Sequence, residues 1–248
     1  MTPRLKSAVA RYIEEQIPAF HKRRLERLQS LQFTRMLQRK NPYLFRAKHL
    51  VTAEQFVRTL LDAYLSSQEE TLFGATLEGL AQFVCSKTFG AYKSSAEGID
   101  MEFERDGTHY IVAIKSGPNW ANSSQIRRML QDFRQAKRIL TTNMPRIPII
   151  AVNGCCYGRE AHEQKTEYVK LCGQAFWAFI SGDERLYLDI IEPLGHKARE
   201  HNEEFAAHYT EVINQFARQF ANEFCMDNGR IDWEKIVRLT SARKQDER

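Results

Sequence analysis

Between Gly98 and Trp120 the chain reads GIDMEFERDGTHYIVAIKSGPNW, a stretch that fits little other than a β-hairpin. Ile99, Met101 and Phe103 alternate with Asp100, Glu102 and Glu104, the period-two pattern of a strand with one polar face. Arg105-Asp106-Gly107 supplies a tight turn. Tyr110 to Ile114 is a continuous apolar run, the mark of a more buried strand. It ends in Lys115, just before a polar Ser-Gly-Pro-Asn loop. Period two puts Ala113 on the same strand face as Lys115.

Helical patterns flank this hairpin. Residues 4 to 38 contain few breakers apart from Pro18, and Pro42 interrupts the pattern. Thr52 with Gln55 is a capping-box signature, followed by Phe56, Leu60, Leu61 and Tyr64 at helical spacing. A separate helix is expected from about Glu70 to Lys87, with the stripe Phe73, Leu77, Leu80, Ala81 and Val84 and with Glu78 at its edge. After the hairpin, Asn122 or Ser123 can cap a helix running to about Leu140. Pro148 to Asn153 reads as a buried strand, and Ala175 to Ile180 and Leu186 to Ile191 as further buried elements. Residues 198 to 224 carry a strong amphipathic helical pattern, and the final residues from Ser241 look frayed. This order predicts an α/β core of residues 70–195, a central mixed sheet flanked by helices, with N-terminal (1–69) and C-terminal (196–248) helical additions.

Composition narrows the class. A chain of 248 residues can bury a substantial core without staples. No apolar run approaches the ~20 residues that span a bilayer. The N-terminal segment has no signal-peptide core, so a cytoplasmic location and no membrane partner are expected. Five cysteines, two of them vicinal, do not read as a disulfide framework. A zinc site from Cys155, Cys156, Cys172 and His162 lacks any CxxC or HxxxH spacing, which favours reduced structural thiols. No Walker A, GxGxxG, GxSxG or HExxH pattern is present, so no nucleotide cofactor is expected. Net charge is +5. Residues 22 to 48 hold nine Lys and Arg against Glu26 alone, and Arg127, Arg128, Arg134, Lys137 and Arg138 form a second basic set. Either is a solvated helix face or a phosphate-contacting surface.

The hairpin also suggests chemistry. An acid on one strand and a lysine at the end of its partner is the layout of a metal-dependent phosphodiesterase site. Asp100 can supply a carboxylate to a divalent cation, Glu78 a second from the preceding helix, and Lys115 can orient water or offset charge at phosphorus. Singly, each has a plainer explanation: a turn aspartate, a helix-surface glutamate, a strand-end lysine whose stem packs while its head stays wet. Their order, with the right elements between them, shifts the balance toward the site.

Glu78, then Gly98-Ile99-Asp100, then Ala113-Ile114-Lys115 resembles the PD-(D/E)xK nuclease superfamily, and within it the type II restriction endonucleases, over residues 70 to 155. The resemblance implies an αβββαβ core in which Glu78, Asp100 and Lys115 are catalytic and Asp100 and Glu78 bind Mg²⁺, with Mn²⁺ able to substitute. It implies cleavage of double-stranded DNA at a short site to give 5′-phosphates, by a homodimer. Asn119, Asn122, Ser123, Ser124 and Gln125 resemble the polar segment after the catalytic lysine and are candidate DNA contacts, at a helix start able to offer amides to phosphate. Tyr157 and Arg159, in a two-glycine loop after a core strand, are candidate base readers, with Lys165, Lys170 and Gln174 downstream. A tight turn with buried cysteines is the plainer reading of that loop.

The departure is Ala113, where the superfamily pattern has an acid. The second acid has moved, to Glu78, Glu102 or Glu104; or the chain is an inactivated form; or it is a degenerate, non-catalytic relative. The first is preferred, since an intact first acid and lysine are odd in a decayed site. A repair or junction nuclease of the superfamily and a non-cleaving DNA binder are the competing functions.

Overall fold

The computed structural model describes residues 2–159 and 163–243, without the side chains of Glu163 and Gln164. His162 and the last five residues, which entered the zinc and frayed-end readings, lie outside the described residues. The chain divides into two compact units, Met1–Pro18 with Phe73–His196, and Ala19–Leu72 with Lys197–Arg248. Two long helices, α1 (Pro3–Gln29) and α4 (Ala53–Phe89), contribute residues to both units, and Pro18 inside α1 ends the first segment of unit one.

Unit one is built on a five-stranded mixed sheet in the order β1-β2-β3-β5-β4. The strands are β1 (Met101–Arg105), β2 (Thr108–Lys115), β3 (Ile149–Cys155), β4 (Glu163–Gln164) and β5 (Val169–Cys172). β1 and β2 are antiparallel, β2 is parallel to β3 and β3 to β5, and β4 returns antiparallel to β5. The β1–β2 turn works because Asp106 and Gly107 both take positive φ, 52° and 72°, the twist that two-residue hairpins prefer. A single antiparallel bridge, Tyr92 to Glu102, stands outside β1 where the resemblance implies a further strand.

Helices cover both faces of the sheet. α5 (Ser123–Asn143) connects β2 to β3 and lays Met129, Phe133 and Ala136 on Ile99, Ile111, Ala113 and Ala151. Its start is a capping box: the Asn122 side chain accepts the Ser124 and Gln125 amides, and the Gln125 side chain accepts the Asn122 amide. On the other face Leu77, Leu80, Ala81 and Val84 of α4, with Val9, Ile13 and Ile17 of α1, cluster with Met101, Phe103, Val112, Ile114 and Val152. Phe176, Trp177 and Ile180 of α6 (Gln174–Ser181) complete that layer.

Two expectations change. The two helices expected before the hairpin are one, because α4 continues unbroken through 65–73, although Thr52 caps its start, its hydroxyl accepting the Gln55 amide at 3.2 Å. The apolar run 186–191 splits into α7 (Leu186–Asp189) and α8 (Ile191–Leu194); Leu186 and Ile190 are buried, but Ile191 is 65% exposed.

Unit two is helical. It contains the later part of α1, α2 (Phe33–Leu37), α3 (Pro42–Ala47), the earlier part of α4, α9 (Ala198–Phe224) and α10 (Trp233–Ser241). Asn41 caps α3, with Pro42 in its first turn where a missing amide costs nothing. Its core is aromatic: Phe33, Phe56, Phe216, Phe220 and Phe224 cluster, and Phe56 stacks on Phe220 at 4.5 Å. Among the described residues no helix is long and apolar enough to cross a membrane.

Candidate active site

Asp100 immediately precedes β1 and is held by the backbone of β2. Its amide donates to the Val112 carbonyl at 2.9 Å. Its carboxylate Oδ2 accepts the Ile114 amide at 2.6 Å. Gly98, two residues earlier, has φ of 74° and sits so close to α5 that a Cβ there would collide with the Asp132 carboxylate. Only glycine combines that backbone with that approach. The approach to Asp100 is therefore fixed from both sides.

Lys115 ends β2, with its ammonium 5.0 Å from the centre of the Trp120 ring. Glu78 comes from α4, on the sheet face opposite α5's cover, and is half-buried. Gln82, one turn later, donates to the Glu78 carboxylate and to the Asp100 carbonyl, both at 3.4 Å. Burial raises the Glu78 pKa first and the Asp100 charge raises it further, while Lys115 and Lys93 pull it back. Asp100 is likewise raised by burial, offset by the Ile114 amide and then by Lys115 and Lys93. The structure thus brings Glu78, Asp100 and Lys115 within electrostatic reach of one another. It adds Gln82 and Lys93, which the sequence reading missed. Gln82 was findable as the residue one helical turn beyond Glu78; Lys93 lies in an irregular segment with no pattern to mark it.

Glu102 and Glu104 share the Asp100 face of β1 but have other partners. Glu102 is buried and accepts from Ser94 Oγ at 2.5 Å and the Tyr92 hydroxyl at 3.3 Å, with a ring nitrogen of His109 at 2.8 Å. Glu104 is exposed, 3.5 Å from the other His109 nitrogen. Ala113 is fully buried among Met129, Phe133 and Ala151. Among the described residues no group of three or more His, Cys, Asp and Glu is gathered as a metal cage.

The candidate DNA contacts fall in two places. Asn119 and Ser123 are exposed, whereas the Asn122, Ser124 and Gln125 side chains take part in capping α5. Tyr157 is half-exposed, its ring lying so tightly over Gly117 that a Cβ there would enter it; its amide bonds Ser116 at 3.1 Å. The Lys170 ammonium bonds the Pro118 carbonyl at 3.4 Å. Tyr157 and Lys170 therefore border the loop that follows Lys115, while Gln174 reaches Glu184 instead. Tyr157 and the exposed Arg159 line a cavity of about 1230 Å³ with Leu77, Trp177 and Tyr187. Burial raises the Cys155 thiol and pushes that of Cys156 up to about 12, which disfavours the reactive thiolate at both.

A family model, type II restriction endonuclease EcoO109I, matches residues 7–202. The chain belongs to this family. A comparison with curated proteins finds no match. Membership of the EcoO109I restriction endonuclease family places the chain among DNA-cleaving hydrolases of restriction systems, with DNA as substrate. The match covers the whole of α4, β1, β2, α5 and β3, and includes Glu78, Asp100 and Lys115.

Proposed function

We propose that the chain is a Mg²⁺-dependent type II endonuclease of PD-(D/E)xK type that cuts both strands of duplex DNA at a short specific site and leaves 5′-phosphates. The observation that carries this reading is the meeting of Glu78, Asp100 and Lys115 where β2 ends. The donor set suits a hard cation. It offers carboxylate oxygens, with the nearby Cys156 thiol kept protonated by burial and by the Glu78 charge, and its two acids are raised by burial and, at Glu78, by the Asp100 charge. Mg²⁺, for which Mn²⁺ can substitute, would be held by Asp100 and Glu78 and would supply charge neutralisation at the phosphate and a more acidic bound water. Two carboxylates are enough for Mg²⁺, which keeps several waters and takes phosphate oxygens from its substrate.

The protein's own groups have distinct tasks in this scheme. Asp100 keeps a fixed direction because the Ile114 amide binds one of its oxygens. Gln82 ties Glu78 to the Asp100 backbone and so sets the spacing of the acids. Lys115, and Lys93 within reach of the same two acids, offset negative charge that builds on phosphorus. A homodimer places one such site on each strand of a two-fold symmetric target.

Plasmid digestion tests the reading. Discrete fragments with Mg²⁺, abolished by EDTA, are expected. Asp100→Ala and Lys115→Ala should each abolish cutting while duplex binding persists. Ala113 favours a second reading, a DNA-binding relative that does not cleave. Retarded but uncut DNA from the wild-type protein with Mg²⁺ would select it.

A further inference from the structure

The basic run 22–48 lies entirely within unit two, and the structure sorts its charges. Arg24 pairs with Glu69 at 2.5 Å and stacks on Phe205 at 3.5 Å. Lys22 lies 4.0 Å from Glu26. Arg23 donates to the Ala19 carbonyl, and Lys40 to the Ala63 carbonyl. Arg46 lies 5.4 Å from the Trp233 ring. Arg27, Arg35, Arg39 and Lys48 remain, with no ion pair among the described residues. All four are exposed, and the three arginines line one cavity of about 220 Å³, beside Ser30, Gln32 and Tyr64. No carboxylate lines it.

Three unpaired guanidiniums around one small cleft repel each other, and a bound anion offsets that repulsion. The cavity is smaller than a typical pocket for a drug-sized ligand, ~300–1,000 Å³, but holds several waters at ~30 Å³ each. That suits a tetrahedral oxyanion, which planar guanidinium forks bind in bidentate fashion. Tyr64 and Gln32 add a hydroxyl and an amide at the rim.

We propose that Arg27, Arg35 and Arg39 form a phosphate-binding cleft that grips the backbone of duplex DNA at a site separate from the acids and lysine. This deepens the proposed function and rests on DNA being the substrate. A backbone contact of this kind positions the duplex without reading its sequence.

Salt dependence tests it. Binding of a labelled duplex is measured in EDTA, so that no cutting occurs, for wild type and for Arg27→Gln/Arg35→Gln/Arg39→Gln. Each lost phosphate contact lowers the slope of log affinity against log salt by about 0.9, or about 2.7 for three. Between about 50 and 200 mM salt the wild type should therefore lose roughly 40-fold more affinity than the variant. Arg→Lys changes at the same positions keep the charge and should restore the slope, which separates charge loss from misfolding. Equal slopes for wild type and the Gln variant overturn the proposal. So does an unchanged slope with thermal stabilisation by inorganic phosphate that only the variant loses, since the occupant is then a free anion. Asp100→Ala should keep the wild-type slope. If wild type fails to cut DNA with Mg²⁺ yet shows the slope difference, the nuclease reading falls and the cleft stands.

Discussion

The Asp100 carboxylate accepts the Ile114 amide at 2.6 Å, which fastens the acid to the residue immediately before Lys115. One hydrogen bond thus couples the hairpin's two functional ends. Asp100→Asn can keep that bond through its amide oxygen while losing the charge. Cleavage should fall more than ~100-fold, with duplex binding retained. Thermal stability in EDTA should hold or rise, because a buried carboxylate beside Glu78 is disfavoured in the folded state. Digestion assays and thermal melts read the two effects, and cutting within ~10-fold of wild type would remove Asp100 from the site.

Gly98 sets the approach to Asp100. An alanine there must take φ near 74°, at a cost of roughly 1–2 kcal/mol, and must push back Asp132 on α5. Gly98→Ala should lower the melting temperature and reduce cleavage. Gly98→Ala/Asp132→Ala relieves the collision but not the backbone strain, so it should recover part of the stability. Full recovery, or no loss in the single variant, would show that this backbone is not constrained.

The legible parts of this chain are those in which one local signal agrees with tertiary structure. Asp106-Gly107 between alternating residues gave the hairpin, and Asn122 with Gln125 gave the start of α5. The long α4 was hidden because Ser66, Ser67 and the glutamates after them interrupt its apolar stripe without containing a breaker. β4 and β5 are too short to show a period, and pairing with β3 rather than propensity makes β5 a strand. In the site, Asp100 and Lys115 were marked by strand ends. Lys93 was not, because only folding brings it to the acids. Glu102 illustrates the reverse: its strand face is that of Asp100, but His109, Ser94 and Tyr92 hold its carboxylate, and no periodicity reports that.

A pH effect is expected in unit two. His21 stacks on His201 at 4.5 Å, and its pKa is lowered from 6.5 to about 4 by burial first, then by His201 and Arg24. In the window from 6.5 to about 4 the unfolded chain binds a proton there that the folded chain does not. Stability should therefore fall as pH falls through that window, and His21 should contribute no slope above it. His21→Phe removes the titrating group. The wild-type melting temperature should drop more steeply than the variant's between pH 6.5 and 4, and parallel curves would exclude His21 as the cause.

The missing acid can be tested by restoring it. Met101 pairs with Val112, so Asp100 and Ala113 are cross-strand neighbours on one face, where Cβ atoms lie ~4.5–5.5 Å apart. Ala113 is also fully buried against Met129 and Phe133. Ala113→Glu should therefore lower the melting temperature in EDTA, because it places an unpaired charge next to Asp100 in apolar surroundings. If this position borders the metal site, Mg²⁺ should return more stability to the variant than it adds to wild type, through binding to the folded state alone. Equal Mg²⁺ shifts in the two proteins would place position 113 outside the metal's reach, and the acids supplied by Asp100 and Glu78 would then stand as the complete carboxylate set.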